Sequence, residues 1–235
     1  MNAKVNISNR AGASFPVRRM NFDFDQVPEY WMNGSAGLTH FMTALSALFP
    51  DGEKLFIDSV RAVRYHPAIK DNEALQKEIS AFIGQEAMHT QEHVGFNASA
   101  QKYGHDVSSL ERITGRYIQF ARKNFAKAVK PFGMTQEMVD LTATTALEHF
   151  TATIASELLR NLHIQELMTD DTIRILLQKI RQLFRNHRIY STTCLTVSEF
   201  LFGLSFKLWL FNFDTDNCCQ SFTDIISGKC RIAVF

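Results

Sequence analysis

Apolar side chains recur at alternating steps of three and four residues along most of the chain. Seven residues bring an α-helix back to almost the same direction, so these steps place the apolar side chains on one helical face. The pattern predicts helices over about residues 35–48, 52–66, 72–104, 108–130 and 135–163. Only five prolines and eleven glycines occur among 235 residues. We therefore expect an all-α fold.

Several residues indicate where these helices begin and end. Pro50 is expected to interrupt helical structure after the first helix, and Asp51 is a suitable N-cap for the second helix. Gly104 is a suitable residue to end the third helix, and Ser108 or Ser109 to begin the fourth. The apolar stripe predicted for the first helix consists of Leu38, Phe41, Met42, Leu45 and Leu48.

Titratable side chains interrupt the stripe of the third predicted helix. The stripe consists of Leu75, Ile79, Phe82, Glu86, His89, His93, Phe96, Ala100 and Tyr103. A charged group on an apolar face costs several kcal/mol unless it is paired, hydrogen-bonded or bound to a cation. Glu86 and His89 have the Glu-x-x-His spacing by which ferritin-like bundles direct a carboxylate and an imidazole to one metal ion. The alternative is a hydrogen-bonded core histidine, and His93 in particular fits the role of a ligand's hydrogen-bond partner.

Two further glutamates lie on predicted inner faces. Glu53 shares a helical face with Ile57 and Val60, although a glutamate in a first turn also simply answers the helix dipole. Glu148 lies between Thr145 and Ala152 in a seam of apolar and small residues. Small residues leave room for a cofactor or substrate, but they also allow close helix packing.

Composition limits the classes of function. Hydrophobic content of 46%, charged content of 21% and a formal net charge of +1 describe an ordinary folded protein and argue against a nucleic-acid binder. The first twenty residues lack the apolar core of a signal peptide, so we expect a cytoplasmic protein. All four cysteines lie after residue 190 without a zinc-site spacing, which indicates reduced thiols.

The chain is divided by sequence into an irregular N-terminal segment (1–27), one helical-bundle domain (28–213) and a divergent tail (214–235). Residues 195–213 are strongly apolar, but a glutamate, a lysine and a glycine interrupt them. This favours a buried or interfacial helix over a membrane span, with peripheral membrane contact as a further expectation.

Three strings carry a resemblance to a known family. "LSALFPDGEKLFIDSVR", "FIGQEAMHTQEHVGFN" and "LTATTALEHFTA" together resemble the bacterial family of predicted metal-dependent hydrolases, over about residues 15–168. The resemblance implies a ferritin-like helical bundle that holds two metal ions. It also implies that Glu53, Glu86, His89 and Glu148 are metal ligands, and His93 is added as a candidate from its place on the stripe.

The chain departs from the family pattern in its last third. A complete two-metal site needs a second Glu-x-x-His, which the family carries within a longer Trp-His-containing motif. Here Arg160 and Phe184 stand three residues before His163 and His187. A frameshift or deletion, a degenerate site, or ligands from another part of the chain would each explain this difference.

The expected chemistry follows from the donor atoms and leaves three functions open. Carboxylates and imidazoles favour iron, or else manganese, as one or two divalent ions. Such a site can hydrolyse a small-molecule substrate, or it can use two iron ions to oxidise one with dioxygen. The third alternative is a non-enzymatic homologue whose site has decayed.

Overall fold

The computed structural model describes residues 6–8, 17–171 and 173, and in this part of the chain nearly all regular structure is helical. The helices are α1 (Ala36–Ser46), α2 (Phe49–Val63), α3 (Glu73–Lys102), α4 (Val107–Val129), α5 (Gln136–Arg160) and α6 (Leu162–Leu167), with a 3-10 turn at Lys130–Phe132. Strands β1 (Asn6–Ser8) and β2 (Val17–Arg19) form one antiparallel pair. The predicted all-α bundle is confirmed. The finer ferritin-like class and the domain boundaries stay predictions.

Helix α2 lies at the centre of the bundle and packs against α3, α4 and α5. Its buried face joins the apolar face of α3 in one core, to which α5 contributes Leu141. The two phenylalanines of this core are Phe56 and Phe82. A hydroxyl pair crosses the α2–α5 contact, where Oγ of Ser59 lies 2.7 Å from Oγ1 of Thr144. The face of α2 that carries Glu53 is thus held between two long helices.

Strand β2 and the segment that follows it pack against α3. Two glycines of α3 permit the close approach. A Cβ at Gly84 would lie 3.1 Å from the side chain of Val17, and a Cβ at Gly95 would lie 3.2 Å from the ring of Phe24. Phe24 and Trp31 pack edge-on against Phe96 at centroid distances of 5.7 Å. These aromatic residues form a second core with Met32 and Met168.

The stripe predicted for the first helix was largely wrong, although Met42 packs against the second core. Helix α1 buries Thr39, Thr43 and Ser46, whereas Leu38 and Phe41 are exposed. The physical reason is hydrogen bonding: Oγ1 of Thr39 accepts from the amide of Met32, and Oγ of Ser46 bonds to His93. These hydrogen bonds satisfy the inward hydroxyl groups of Thr39 and Ser46.

The predicted boundary at Pro50 was also wrong. Helix α2 begins at Phe49 with Pro50 in its first turn, where proline's missing amide hydrogen costs nothing. Asp51 is therefore an acidic residue of the first turn and not the N-cap. It lies at the crossing of α2 and α4, because a Cβ at Gly115 would lie only 2.6 Å from its Oδ2.

Other helix ends agree with the sequence to different degrees. Gly104 follows α3 with a φ of 86°, as predicted. The N-cap of α4 is Asp106, whose carboxylate accepts from the amide of Ser109, rather than either predicted serine. Helix α5 ends at Arg160, because Asn161 is extended and caps α6. Segment 195–213 lies outside the described residues. None of the helices in the described part is long and apolar enough to cross a bilayer.

Candidate metal centre

Glu53, Glu86 and His89 form a compact group between α2 and α3. One ligand atom of each side chain lies within 4.8 Å of the corresponding atoms of the other two. Glu53 comes from the second turn of α2, and the i, i+3 spacing places Glu86 and His89 on the same face of α3. Nδ1 of His89 lies 3.7 Å from Oε1 of Glu86. Two oxygens and one nitrogen therefore converge on one point in the bundle.

Burying the charged carboxylates of this group without a cation costs free energy. Glu53 is 2% exposed and Glu86 5% exposed. Burial raises the pKa of both carboxyl groups well above their ordinary value, and the charge of Glu148 raises each further. Desolvation and like charge both favour the protonated carboxyl. A cation at this point would reverse that preference.

One atom of Glu53 provides a specific test of whether a metal ion fits. Oε2 of Glu53 is buried and has no hydrogen-bond partner among the described residues. The hydroxyl of Thr90 lowers the pKa of Glu53 in part, but Thr90 also donates to the carbonyl of Glu86 at 2.9 Å. A buried carboxylate oxygen without a partner costs about 1–3 kcal/mol or more. The residues present therefore fit a metal ion.

His93 lies beside the group of three and is held from three sides. Its Nε2 lies 3.8 Å from Oε1 of Glu53, and its Nδ1 lies 2.9 Å from Oγ of Ser46. The ring of Phe49 stacks on the imidazole at a centroid distance of 4.2 Å and an angle of 7°. Burial and the nearby His89 lower the pKa of His93, so that the ring is neutral at neutral pH. His93 therefore borders the cluster with an oriented, neutral ring.

Glu148 approaches the cluster from α5. It is 6% exposed, and its charge acts on both Glu53 and Glu86. It lies outside the compact group of three, so its place in the cluster is that of a neighbouring carboxylate. The side chains of His89 and His93 are 28% and 29% exposed, whereas the carboxylates are covered. The cluster is thus open on its histidine side.

Of the positions where the sequence lacks a second Glu-x-x-His, those that the structure describes do not join this group. His163 and Arg160 are exposed, His163 on the short helix α6 and Arg160 at the end of α5. His187 and Phe184 lie outside the described residues. The hydrophobic pattern gave no indication of Ser46, because Ser46 is not part of the stripe predicted to face inward on the first helix.

These features define the class of protein as a helical bundle with a buried carboxylate and histidine cluster suited to a divalent metal. The model of the family described as predicted metal-dependent hydrolase matches residues 16–179, which is more than half of the chain. The chain therefore belongs to that family. No curated protein and no solved structure matches it significantly.

Proposed function

We propose that this chain is a metal-dependent hydrolase that binds a divalent cation through Glu53, Glu86 and His89 and cleaves a small-molecule substrate. The observation that carries the proposal is the convergence of these three side chains, with ligand atoms within 4.8 Å of one another, in a buried seam. The unpartnered Oε2 of Glu53 supports a cation as its partner. Family membership supports the reaction class.

The donor set favours a hard cation. Carboxylate oxygens outnumber imidazole nitrogens around the cluster, and Glu148 adds another carboxylate whose charge already acts on Glu53 and Glu86. Hard oxygen donors suit iron and manganese better than copper. We propose iron, with manganese as the alternative, and include Glu148 and His93 as further ligands of the bound ion.

The chain's own residues would prepare the site for hydrolysis. When bound, a divalent cation supplies Lewis-acid polarisation of a carbonyl or phosphoryl oxygen and makes a nearby water molecule easier to deprotonate. Glu53 and Glu86 release their protons as the ion is taken up. With Nδ1 of His93 donating to Ser46, the unprotonated Nε2 faces Glu53 and is available as a ligand atom for the ion.

The open histidine side of the cluster gives the substrate its route. His89 and His93 are the partly exposed members, so a small molecule would approach past these rings. A cytoplasmic location belongs to the same proposal.

Metal binding is the first test. The full chain, purified without chelators, is analysed for metal content, and the chelator-treated protein is titrated with Mn²⁺ and, without oxygen, with Fe²⁺. We expect Glu86→Gln to weaken binding by at least about tenfold, because it removes a ligand charge. Glu92→Gln is the matched control, since Glu92 lies on the same helix but accepts from the amide of Asn21 at 2.9 Å. Equal binding by both variants would remove Glu86 from the site.

Activity is tested separately on the metal-loaded chain. Small chromogenic esters and phosphate esters should be hydrolysed, and the rate should fall in Glu86→Gln but not in Glu92→Gln. Dioxygen consumption by the ferrous protein without hydrolysis would instead assign the di-iron oxidase alternative. A wild-type chain that binds no metal would support the non-enzymatic alternative and refute the proposal.

A further inference from the structure

Helix α4 turns an apolar stripe toward solvent. Leu110, Ile113, Tyr117 and Phe120 follow one another at steps of three, four and three residues, so they share one face. Ile113 is 62% exposed, Tyr117 69% and Phe120 67%. Val107 alone is buried among the residues of α4. A helix on a bundle surface normally shows the opposite arrangement, with its apolar stripe inward.

The inward face of α4 is accounted for separately. Ile118 packs against the α2–α3 core, and Arg122 donates to the carboxylate of Asp140 on α5 at 3.0 and 2.6 Å. These residues lie on the side of the helix opposite to Ile113 and Phe120. The outward stripe is therefore not needed to hold α4 on the bundle.

Cationic side chains flank the outward stripe on one side. They are Arg112, Arg116, Lys123, Lys127 and Lys130, all exposed. The charge of Arg112 acts on the Asp106 carboxylate, and within the described part of the chain the other four form no ion pair. Glu111 is the one acidic residue of α4, and it accepts a hydrogen bond from Asn97. Phe132, 82% exposed, extends the apolar surface beyond the end of the helix. The surface thus combines protruding aromatic side chains with a row of positive charge.

The charge of this surface selects among its conceivable occupants. A second copy related by two-fold symmetry would add an equally cationic surface to the interface, which like-charge repulsion opposes. Residues 174–235 contain eight Lys and Arg against four Asp and Glu, so they also lack complementary charge. An anionic lipid surface offers both negative headgroups and an apolar interior. A basic amphipathic helix with exposed aromatic residues is typical of that partner.

We propose that α4 is a peripheral membrane-binding surface, which lies in the headgroup region of an anionic bilayer with Tyr117 and Phe120 inserted. The flanking lysines and arginines bind the lipid phosphates, and the stripe of apolar side chains enters the acyl boundary. The proposal is independent of the metal centre, which lies between other helices. It is also distinct from the membrane contact expected of residues 195–213.

Vesicle co-sedimentation of the full chain tests this surface. We expect binding to phosphatidylcholine vesicles that contain phosphatidylglycerol, little binding to phosphatidylcholine alone, and release by high salt. The pair Lys123→Glu and Lys127→Glu should weaken binding at least tenfold, because each cation near an anionic surface contributes about fivefold. Tyr117→Ser with Phe120→Ser should abolish insertion. Tyr65→Ser with Lys77→Glu is the control, since both positions are exposed elsewhere.

A fluorescence probe reports insertion directly. Phe120→Trp should show a blue-shifted emission on anionic vesicles and quenching by brominated lipid chains. Binding that survives the α4 variants would overturn the proposal and assign the contact to another segment. No binding by wild type would overturn it as well. Concentration-dependent self-association that these variants remove, without vesicle binding, would assign the surface to a second copy.

Discussion

Nε2 of His93 lies 3.8 Å from Oε1 of Glu53 although the two residues come from different helices. The other ring nitrogen of His93 bonds to Ser46 at the end of α1, so three helices meet at this imidazole. Phe49 closes one face of the ring. The ring cannot turn away from Glu53 without losing the serine contact. Ser46 is therefore a positioning residue for the cluster, which leads to the first prediction.

Ser46→Ala should weaken metal binding by roughly tenfold, since partners that orient a histidine beside a metal have effects of this size. It should also destabilise the fold by about 1 kcal/mol through the lost hydrogen bond. Calorimetric titration with Mn²⁺ and urea unfolding measure the two effects. Ser99→Ala is the control, because Ser99 is equally buried and donates to the carbonyl of Phe24. If both variants bind metal equally well, Ser46 does not position the cluster.

The second prediction concerns the pH dependence of stability without metal. Burial raises the pKa of Glu53 and Glu86 above the ordinary value of 4.5. Between the ordinary pKa and the raised pKa, the unfolded chain has released protons that the folded chain retains. The free energy of unfolding should therefore fall as pH rises through this interval. The metal-loaded protein should lack this fall. Urea unfolding at a series of pH values, with and without chelator, measures the difference.

Glu148→Gln should shift that fall in stability toward lower pH. The charge of Glu148 raises the pKa of Glu53 and Glu86, so its removal lowers both and narrows the interval over which stability is lost. Stability at neutral pH without metal should be unchanged or increased. Glu157→Gln, on the same helix, should leave the profile unaltered. A large loss of stability in Glu148→Gln alone would contradict the like-charge interpretation.

The fourth prediction concerns the joint between α4 and α5. Asp140 is buried and accepts from Arg122 through two nitrogens and from Gln136 at 2.8 Å. Arg122→Met should destabilise the protein by about 2 kcal/mol, because it leaves a buried carboxylate without its cation. The partial exposure of the arginine makes this loss smaller than that of a fully buried ion pair. Arg112→Met on the solvent side should change stability by less than about 0.5 kcal/mol. Urea unfolding that shows equal effects would contradict this role.

Sequence periodicity located the long helices because each carries an apolar face long enough to be seen. It failed at α1, where Thr39, Thr43 and Ser46 face inward and bond to neighbours that are distant in sequence. The sequence also misplaced the boundary at Pro50, because a proline can follow the end of one helix or lie in the first turn of the next. Only the packing of α2 distinguishes these two positions.

The candidate site also divides into features that local sequence spacing predicts and features that depend on contacts between helices. The spacing of Glu86 and His89 predicted that they share one face of α3, because spacing along a helix sets the mutual position of two residues. Glu53 was an ambiguous first-turn glutamate until the structure placed it within 4.8 Å of both. Ser46 and Phe49 gave no signal, since contact between helices is not encoded in local spacing.

The last prediction is that the chain binds one metal ion and not two. Two ions on a ferritin-like scaffold use about four carboxylates and two histidines. The described cluster has three glutamates, of which Glu53 and Glu86 join His89 in the compact group, and His93 borders it. Five groups can satisfy one cation but leave a second undercoordinated. Elemental analysis and calorimetric titration should therefore give one ion per chain.

Phe184→Glu tests the count directly, because it creates a Glu-x-x-His pair with His187. Both residues lie outside the described part of the chain, so the expectation rests on sequence alone. If that pair takes the place of the family's second motif, metal occupancy should rise toward two ions per chain. Phe184→Gln, which adds a polar group without a charge, should leave it at one. Two ions bound tightly by the unmodified chain would contradict the prediction and place further ligands in its C-terminal third.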